Sequence, residues 1–384
     1  MQNTFLLIIY KKLLMYNQSL SENMTINNNH PFNFRMNHVS FTELIEHYER
    51  VGFLYPAKKK QIQPIMSLIA DNWKKALKAG DQLLWIASSH RENDTKMATI
   101  SLWRSTAKGW VAQHLTSNAG PAYVQNILIG TQLHAIENRY RAGQNWFQPA
   151  NKYANNIFGS IESSIGNNYA RVASYDYFHV TKNSNLSVNR DISVIQCKTN
   201  DEKTLLRQFL KSQLGTVYMT VEEWDSDDLE LEQVNELYQR YGLFRYRSIW
   251  MAFDQSNKDT LIGIIIAYRG PLGLNFSLME NRMEVIIHEK QSRFTFQEIM
   301  SSLIHHARCV YQNNYPLHII PLIFLSQSSY IAQTLPINFM RTYNKSSWIN
   351  KGFEPWCHHV AHFFKNIDRS LKVSFISNKK ETTS

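Results

Sequence analysis

Apolar residues along this chain recur first at a helical period and then at a strand period. Leu44 and Tyr48 begin a stretch of helical spacing that runs to residue 80, and Pro56 and Pro64 divide it into at least two helices. Apolar runs typical of strands come next, at residues 83–87, 97–103 and 109–116, with a hairpin turn at Asn93-Asp94. A further amphipathic helix follows Gly120, and residues 146–180 return to short strands, of which 171–180 gives the strongest signal.

The second half of the chain repeats this order. The predicted strands lie at residues 192–197, 249–253, 260–268, 283–288, 317–325 and near 360–364, and the predicted helices at 201–214, 231–241 and 296–311. A polar run at 181–190 separates the halves, so we predict two α/β (α+β) domains, at residues 36–182 and 190–369. Residues 16–35 are rich in Asn, Ser and Thr, and we expect residues 1–35 to be a disordered extension and residues 370–384 to be a flexible tail.

Composition narrows the class of protein. Hydrophobic residues make up 43% of the 384 residues, charged residues make up 19%, and the mean hydropathy is −0.37, which predicts a globular protein with an ample core. The formal charge of +10 suits a polyanionic partner, but the chain has no dense basic stripe. The run Lys58-Lys59-Lys60 is interpreted as a solvated turn. Nucleic-acid binding therefore ranks last among the functions considered. Three scattered cysteines fit a reducing, cytoplasmic location, and no apolar run is long enough to span a membrane.

The turn before the helix at Gly120 is the most informative local feature. Residues 117–122 read Ser-Asn-Ala-Gly-Pro-Ala, and such small residues let a backbone approach a pyrophosphate at a helix N-terminus. The same residues fit a tight turn before a helix that begins with Pro121, and both interpretations stay open. The counterpart in the second half has Thr295 and Glu298, a capping box that occupies the terminal amides and adds a carboxylate.

This order of elements, together with the turn, resembles the GNAT superfamily of acyl-CoA-dependent N-acetyltransferases, twice in tandem over residues 36–367. The family writes the turn Gln/Arg-x-x-Gly-x-Gly/Ala. Gly120 and Ala122 match its small residues, although Ser117 stands at the first position. In the second half Gln291 matches the first position, but Phe294 and Phe296 replace the small residues.

The resemblance implies two GNAT-like domains, each a mixed, mostly antiparallel twisted sheet flanked by helices. It also implies acetyl-CoA or another acyl-CoA as the cofactor and a small-molecule or peptide amine as the acceptor. Because the second half lacks the small residues, we expect the cofactor to bind the first half, at Ser117, Asn118, Ala119, Gly120, Ala122 and Tyr123.

A second likeness concerns the general acid of the family. Residues 348–353 are similar to its closing Tyr-Glu-Lys-Leu-Gly-Phe segment and place Trp348 where the family often keeps a general-acid tyrosine. An indole N–H does not donate a proton at ordinary pH, so we do not expect protonation of the leaving group from this position.

Transfer to an amine also needs a base. His114, on the strand before the turn, is the candidate in the first half; Glu284 and His288 share one face of the equivalent strand in the second half, because alternate residues of a strand point the same way. The histidines at 358, 359 and 362 have no acid at metal-ligand spacing, so we expect surface histidines and no metal site.

We therefore expect an acyl-CoA-dependent N-acyltransferase with its cofactor in the first half. The alternative is a catalytically degenerate pair of GNAT-like domains that acts as a ligand-binding or regulatory module, which the missing small residues, the capping box and Trp348 favour. The sequence does not specify the acceptor, the acyl length or the oligomeric state.

Overall fold

The computed structural model describes residues 33–37, 39–90, 96–288, 293–326, 337–352 and 354–364. The predicted hairpin turn at Asn93-Asp94, Gln291, the predicted tail and all of the predicted extension before residue 33 lie outside these ranges. Within them, none of the helices combines the length and the apolar character that crossing a membrane requires.

The described strands form one sheet in the order β1-β2-β3-β4-β5-β12-β6-β11-β10-β9-β8-β7. Their bounds are β1 Asn33–Met36, β2 Leu84–His90, β3 Met97–Arg104, β4 Gly109–Ser117, β5 Ala142–Phe147, β6 Ala170–Thr181, β7 Ile192–Gln196, β8 Tyr246–Asp254, β9 Asn257–Arg269, β10 Met283–Ile287, β11 Ile319–Leu325 and β12 Asn338–Ile349. The neighbours β4–β5 and β10–β11 are parallel, and the other neighbouring strands are antiparallel. The predicted mixed, mostly antiparallel sheet is confirmed.

Helices cover the sheet, and we label eight of them. They are α1 Phe41–Arg50, α2 Pro56–Ile62, α3 Met66–Lys78, α4 Pro121–Glu137, α5 Asn200–Val221, α6 Glu232–Gln239, α7 Phe296–Ala307 and α8 at residues 354–364. Pro56 is the first residue of α2, where a backbone N–H has no partner within the helix. Its missing N–H therefore costs no helical hydrogen bond. Gly215 kinks α5 with a φ of 76°, close to the predicted helix end at residue 214. Buried apolar residues of these helices belong to the same hydrophobic clusters as residues of the strands.

Both halves have the same strand order. In the first half the antiparallel strands β2, β3 and β4 lead through α4 to β5, which is parallel to β4; in the second half β8, β9 and β10 lead through α7 to the parallel strand β11. The order in each half agrees with the one that the GNAT resemblance implies.

The last strand of each half crosses to the other half. β6 follows β5 along the chain but pairs with β11, and β12 follows β11 but pairs with β5. β6 and β12 pair with each other at the middle of the sheet, between the ends Asn338–His179 and Trp348–Ala170. This exchange makes the sheet continuous across the two halves. The predicted domain boundary at residues 182–190 stays a prediction.

Two predicted strands are wrong, and one predicted boundary shifts. Residues 152–165 are helical because Ile157, Ile161 and Ile165 are buried at a spacing of four, and residues 360–364 belong to α8. Asn33–Met36 form β1, so the last residues of the predicted extension lie in the sheet.

Candidate functional site

A cavity of about 430 Å³ lies where β4 and β5 stop pairing. The registered pairs of these parallel strands run from Gly109–Ala142 to Ala112–Asn145, whereas β4 continues to Ser117 and β5 to Phe147. Residues of both strands beyond the last pair line the cavity, together with the loop before α2 and a loop of the second half. The two strands therefore diverge around a space large enough for part of a ligand.

A β-bulge in β4 points into this cavity. Thr99 pairs with Thr116 and Ser101 with Gln113, so two residues of β4, His114 and Leu115, lie opposite one residue of β3. His114 has a φ of 55°, in the left-handed region that non-glycine residues rarely adopt. The bulge leaves one residue without a ladder partner at a position that lines the cavity.

The His114 ring is buried among aromatic side chains and has both nitrogens occupied. The Phe276 N–H donates to Nε2 at 3.4 Å, so Nδ1 carries the proton and donates to Ser101 Oγ at 3.2 Å. Burial, with Lys58 nearby, holds the pKa of His114 well below its usual range. The imidazole is therefore neutral at physiological pH.

A loop of the second half completes the wall of the cavity. Asn275 Nδ2 donates to Gln113 Oε1 at 2.7 Å, and Gln113 Nε2 donates to the Leu274 carbonyl. Tyr343, brought to the cavity by the exchanged strand β12, donates from its hydroxyl to Ser277 Oγ at 2.9 Å. Both halves of the chain therefore contribute to one site.

The predicted cofactor turn joins the end of β4 to the start of α4. Ser117 lines the cavity, and its Oγ accepts the Ala119 N–H at 3.0 Å; the Asn118 N–H donates to the Met97 carbonyl, and the Tyr123 N–H donates to the Gly120 carbonyl. Gly120 and Ala122 are exposed, and their N–H groups have no acceptor in the described part of the chain.

Space and charge around this turn suit an anion. A Cβ built on Gly120 meets no atom within 4 Å, and the first turn of α4 carries no acidic residue. The helix dipole adds partial positive charge to the same end. These residues fit the phosphate groups of a coenzyme A, but their role in binding stays a prediction.

The equivalent place in the second half differs in three ways. The register between β9 and β10 runs without a shift from Met283–Ala267 to Ile287–Gly263, so this part of β10 has no bulge. The predicted capping box at the start of α7 is confirmed: Thr295 Oγ1 accepts the Glu298 N–H at 3.3 Å, and Glu298 Oε2 accepts the Thr295 N–H at 2.8 Å. The carboxylate of Glu298 also adds a negative charge to the first turn of α7.

Glu284 and His288 are apart from the cavity of the first half. Both face α5: Tyr218 donates from its hydroxyl to Glu284 Oε1 at 3.0 Å, and the His288 ring centre lies 6.4 Å from that of Phe209. Glu284 is fully buried, with Oε2 accepting from Arg282 Nη2 at 3.0 Å. The structure therefore brings neither residue together with His114.

The ion cluster around Glu284 links the exchanged strand β12 to the end of α5. Lys345 Nζ on β12 lies 2.5 Å from Glu222 Oε1 at the end of α5, and Arg282 Nη2 lies 3.6 Å from the same oxygen. These cations lower the pKa of Glu222 to about 2, against the opposing effect of burial. Buried charges of this kind are retained when each has its partner, which makes the cluster a structural element.

Trp348 and the three C-terminal histidines have ordinary structural settings. Trp348 is buried, donates from Nε1 to Gln132 Oε1 at 3.1 Å and stacks on Trp356, so it belongs to the core of the first half. His358 and His362 are exposed on α8, as expected for surface histidines, and His359 is half-buried. Among the described residues, no group of three or more side chains is arranged to hold a metal ion.

Sequence reasoning missed several residues that line the cavity, chief among them Lys58, Asn275 and Tyr343. Lys58 belongs to a run interpreted as solvated, and the other two reach the site only through the exchange and the loop of the second half. No local pattern identifies such residues.

Comparisons with known proteins give similarities of fold at low identity. No protein-family model matches the chain, and no curated protein matches it. Among solved structures, a tandem GNAT protein from the clavulanic acid biosynthesis pathway is 8% identical over 83% of this chain and 99% of its own, with a TM-score of 0.41. GCN5-related N-acetyltransferases from Kribbella flavida and Sphaerobacter thermophilus are 10% and 9% identical, cover 68% and 70% of this chain and 86% and 81% of their own, and each have a TM-score of 0.36.

Proposed function

We propose that the protein is an acyl-CoA-dependent N-acyltransferase whose site lies in the first half of the chain. The proposal rests mainly on one observation: β4 and β5 diverge around a cavity at a bulge of β4, directly before the exposed N-terminus of α4. An extended ligand with an anionic end fits this arrangement, because its apolar stem enters between the strands while its charge meets the helix end.

The residues that would hold the cofactor are those of the turn and the first turn of α4. The N–H groups of Gly120 and Ala122 are the donors offered to phosphate oxygens, and Ser117 shapes the turn by binding the Ala119 N–H. When bound, the cofactor supplies the acyl group as a thioester.

The bulge supplies the electrophilic assistance. His114 and Leu115 form the bulge, and one of the two has no ladder partner on β3. A backbone N–H freed in this way can donate to the thioester carbonyl oxygen, where negative charge develops during transfer. Such a donor is fixed in advance by the fold and costs no reorganisation. The regular register of β10 offers no equivalent, which supports the assignment to the first half.

His114 enters the proposal as a positioning residue. Accepting a proton at Nε2 would break the contact with the Phe276 N–H, and the pKa of the ring is held well below its usual range. We infer that the ring instead fixes the bulge through Ser101 and the loop of the second half through Phe276. The acceptor amine then passes its proton to solvent.

The binding or regulatory module remains the second candidate, and the second half favours it. The capping box, the regular strand and the buried Glu284 would leave that half without a cofactor site. A protein in which the first half also fails to bind an acyl-CoA would be such a module.

Titration of acetyl-CoA into the native protein and into Gly120→Leu tests the proposal. A side chain at residue 120 enters open space, so we expect an unchanged melting temperature with loss of binding; Gly120→Ala should retain part of the affinity. Equal affinity of the native protein and Gly120→Leu would contradict the assignment of the site. Absence of binding to well-folded native protein would contradict the enzyme and favour the module.

A further inference from the structure

The described lining of the cavity carries a positive charge and no negative charge. Lys58 lines it, whereas none of its described lining residues is an aspartate or a glutamate. The remaining polar lining consists of neutral groups such as the side chains of Asn145, Gln148 and Asn275. Because His114 is neutral, Lys58 supplies the formal charge of this lining.

Lys58 has no anionic partner among the described residues. Its Nζ lies 4.0 Å from the centre of the Phe53 ring and 5.4 Å from that of Tyr55, so aromatic faces hold it in place. Lys59, one residue further along α2, instead pairs with Glu49 at 2.7 Å. Partial burial lowers the pKa of Lys58 to about 8, which leaves the ammonium charged at pH 7.

A second cation increases this positive potential. Arg341 Nη1 on β12 donates at 2.6 Å to the hydroxyl of Tyr55, a residue that lines the cavity. The guanidinium is also one cause of the lowered pKa of Lys58. Within the described residues Arg341 forms no ion pair. The positive charges of Lys58 and Arg341 therefore both act on a ligand that enters the cavity.

Lys58 lies at the reacting end of the site. The Phe53 ring beneath its ammonium is 5.2 Å from the His114 ring, measured between centres, and His114 is in the bulge. The turn that begins at Ser117 is about 10 Å further along the extended strand. The charge therefore faces the place where an acceptor amine would lie rather than the phosphate end of the cofactor.

We propose that the acceptor carries an anionic group, a carboxylate or a phosphate, that pairs with Lys58. This inference rests on the proposed acyltransferase function and names its substrate class. An amine that enters as an ammonium meets an uncompensated positive charge, which disfavours polyamines and other purely cationic acceptors. An anionic group on the same molecule offsets Lys58 and holds the amine at the bulge.

Acyl transfer from acetyl-CoA to matched pairs of amines tests the inference. The pairs are glycine with glycinamide and O-phosphoethanolamine with ethanolamine, with spermidine as the cationic amine. The variants are Lys58→Met, Lys58→Glu and Lys58→Arg, and Lys59→Met is the matched control on the same helix. The affinity for acetyl-CoA is measured in parallel for each protein.

We expect transfer to the anionic member of at least one pair and little to its partner or to spermidine. Lys58→Met should raise the KM for that acceptor by about tenfold or more, the usual effect of losing a hydrogen bond to a charged group. Lys58→Arg should retain the preference, Lys58→Glu should reverse it, and Lys59→Met should change nothing. The affinity for acetyl-CoA should stay within about twofold of the native value in all four variants.

Three results would overturn the inference while leaving the acyltransferase in place. These are equal transfer to neutral or cationic amines, no transfer to any anionic amine by protein that binds acetyl-CoA, and a Lys58→Met variant whose acetyl-CoA affinity falls while its acceptor KM does not. The last result would assign Lys58 to an anionic group of the cofactor. Absence of acetyl-CoA binding would instead contradict the proposed function itself.

Discussion

Replacing Ala122 with glutamate should affect cofactor binding and protein stability in opposite directions. Ala122 is exposed at the second position of α4, and the first turn of that helix carries no acidic residue. A carboxylate there interacts favourably with the helix dipole, which stabilises the fold by about 0.3–1 kcal/mol. The same carboxylate repels a diphosphate bound to the N–H groups of Gly120 and Ala122, as Glu298 would in the second half.

The size of the repulsion follows from the exposure of the site. For charges about 6 Å apart and an effective dielectric constant of about 40, between bulk water and a protein surface, Coulomb's law gives about 1.4 kcal/mol for each pair of unit charges. That energy is a factor of about ten in Kd for each phosphate charge, and salt reduces it. We expect Ala122→Glu to weaken acetyl-CoA binding by about 10- to 100-fold at low ionic strength.

Isothermal titration calorimetry and urea unfolding measure the two effects on the same sample. Ala122→Gln is the control, because it has the same length without the charge, and its Kd should stay close to the native value. Raising the salt concentration should narrow the gap between the two variants. Equal Kd values for native protein, Ala122→Glu and Ala122→Gln would refute the placement of the phosphates at this helix end.

Three further predictions concern the core, the ion cluster and the bulge. Gly143→Ala should lower the free energy of unfolding by about 1–3 kcal/mol in urea titrations, because its Cβ would lie 2.6 Å from Cζ2 of Trp348; an unchanged midpoint would contradict this packing. The pKa of Glu222 is lowered to about 2, so its ionised form contributes about 3 kcal/mol to the free energy of unfolding above pH 4.5, and this contribution is lost as the pH falls towards 2. Glu222→Gln should flatten the dependence of the free energy of unfolding on pH in that range. An unaltered slope would exclude the ion pair with Lys345. His114→Asn should lower the rate of transfer without moving the pH profile if His114 positions the bulge, whereas loss of a titration step would identify it as the base.

Most of the elements could be predicted from local sequence patterns. The strands at 97–103 and 109–116 and the helix after Gly120 follow from apolar segments bounded by turn residues, and the Thr295 capping box follows from a short motif. The two wrong strands also carried a helical signal. Trp356, Val360 and Phe364 recur every four residues on the buried face of α8, although the alternation around Val360 suggested a strand.

The parts that could not be predicted depend on contacts between distant residues. β6 pairs with β11 and β12 pairs with β5, each with a strand of the other half. The residues of β6 and β12 alone do not specify these partners. The bulge at His114 depends on the register against β3. The same holds for Tyr343 and Asn275, which reach the cavity from the second half of the chain.

Both interpretations of the turn at Gly120 agree with its geometry. The residues form a tight turn before a helix that begins with proline, and their exposed N–H groups are also suited to an anion. The bulge and the diverging strands favour the second interpretation, because a tight turn alone requires neither.

The stoichiometry of acetyl-CoA binding to the native protein tests most directly whether one half alone has kept the site. Calorimetric titration should give one equivalent of acetyl-CoA for each chain, held by the first half. Two equivalents would contradict the loss of the site in the second half, and no binding by folded protein would contradict an enzyme of this kind.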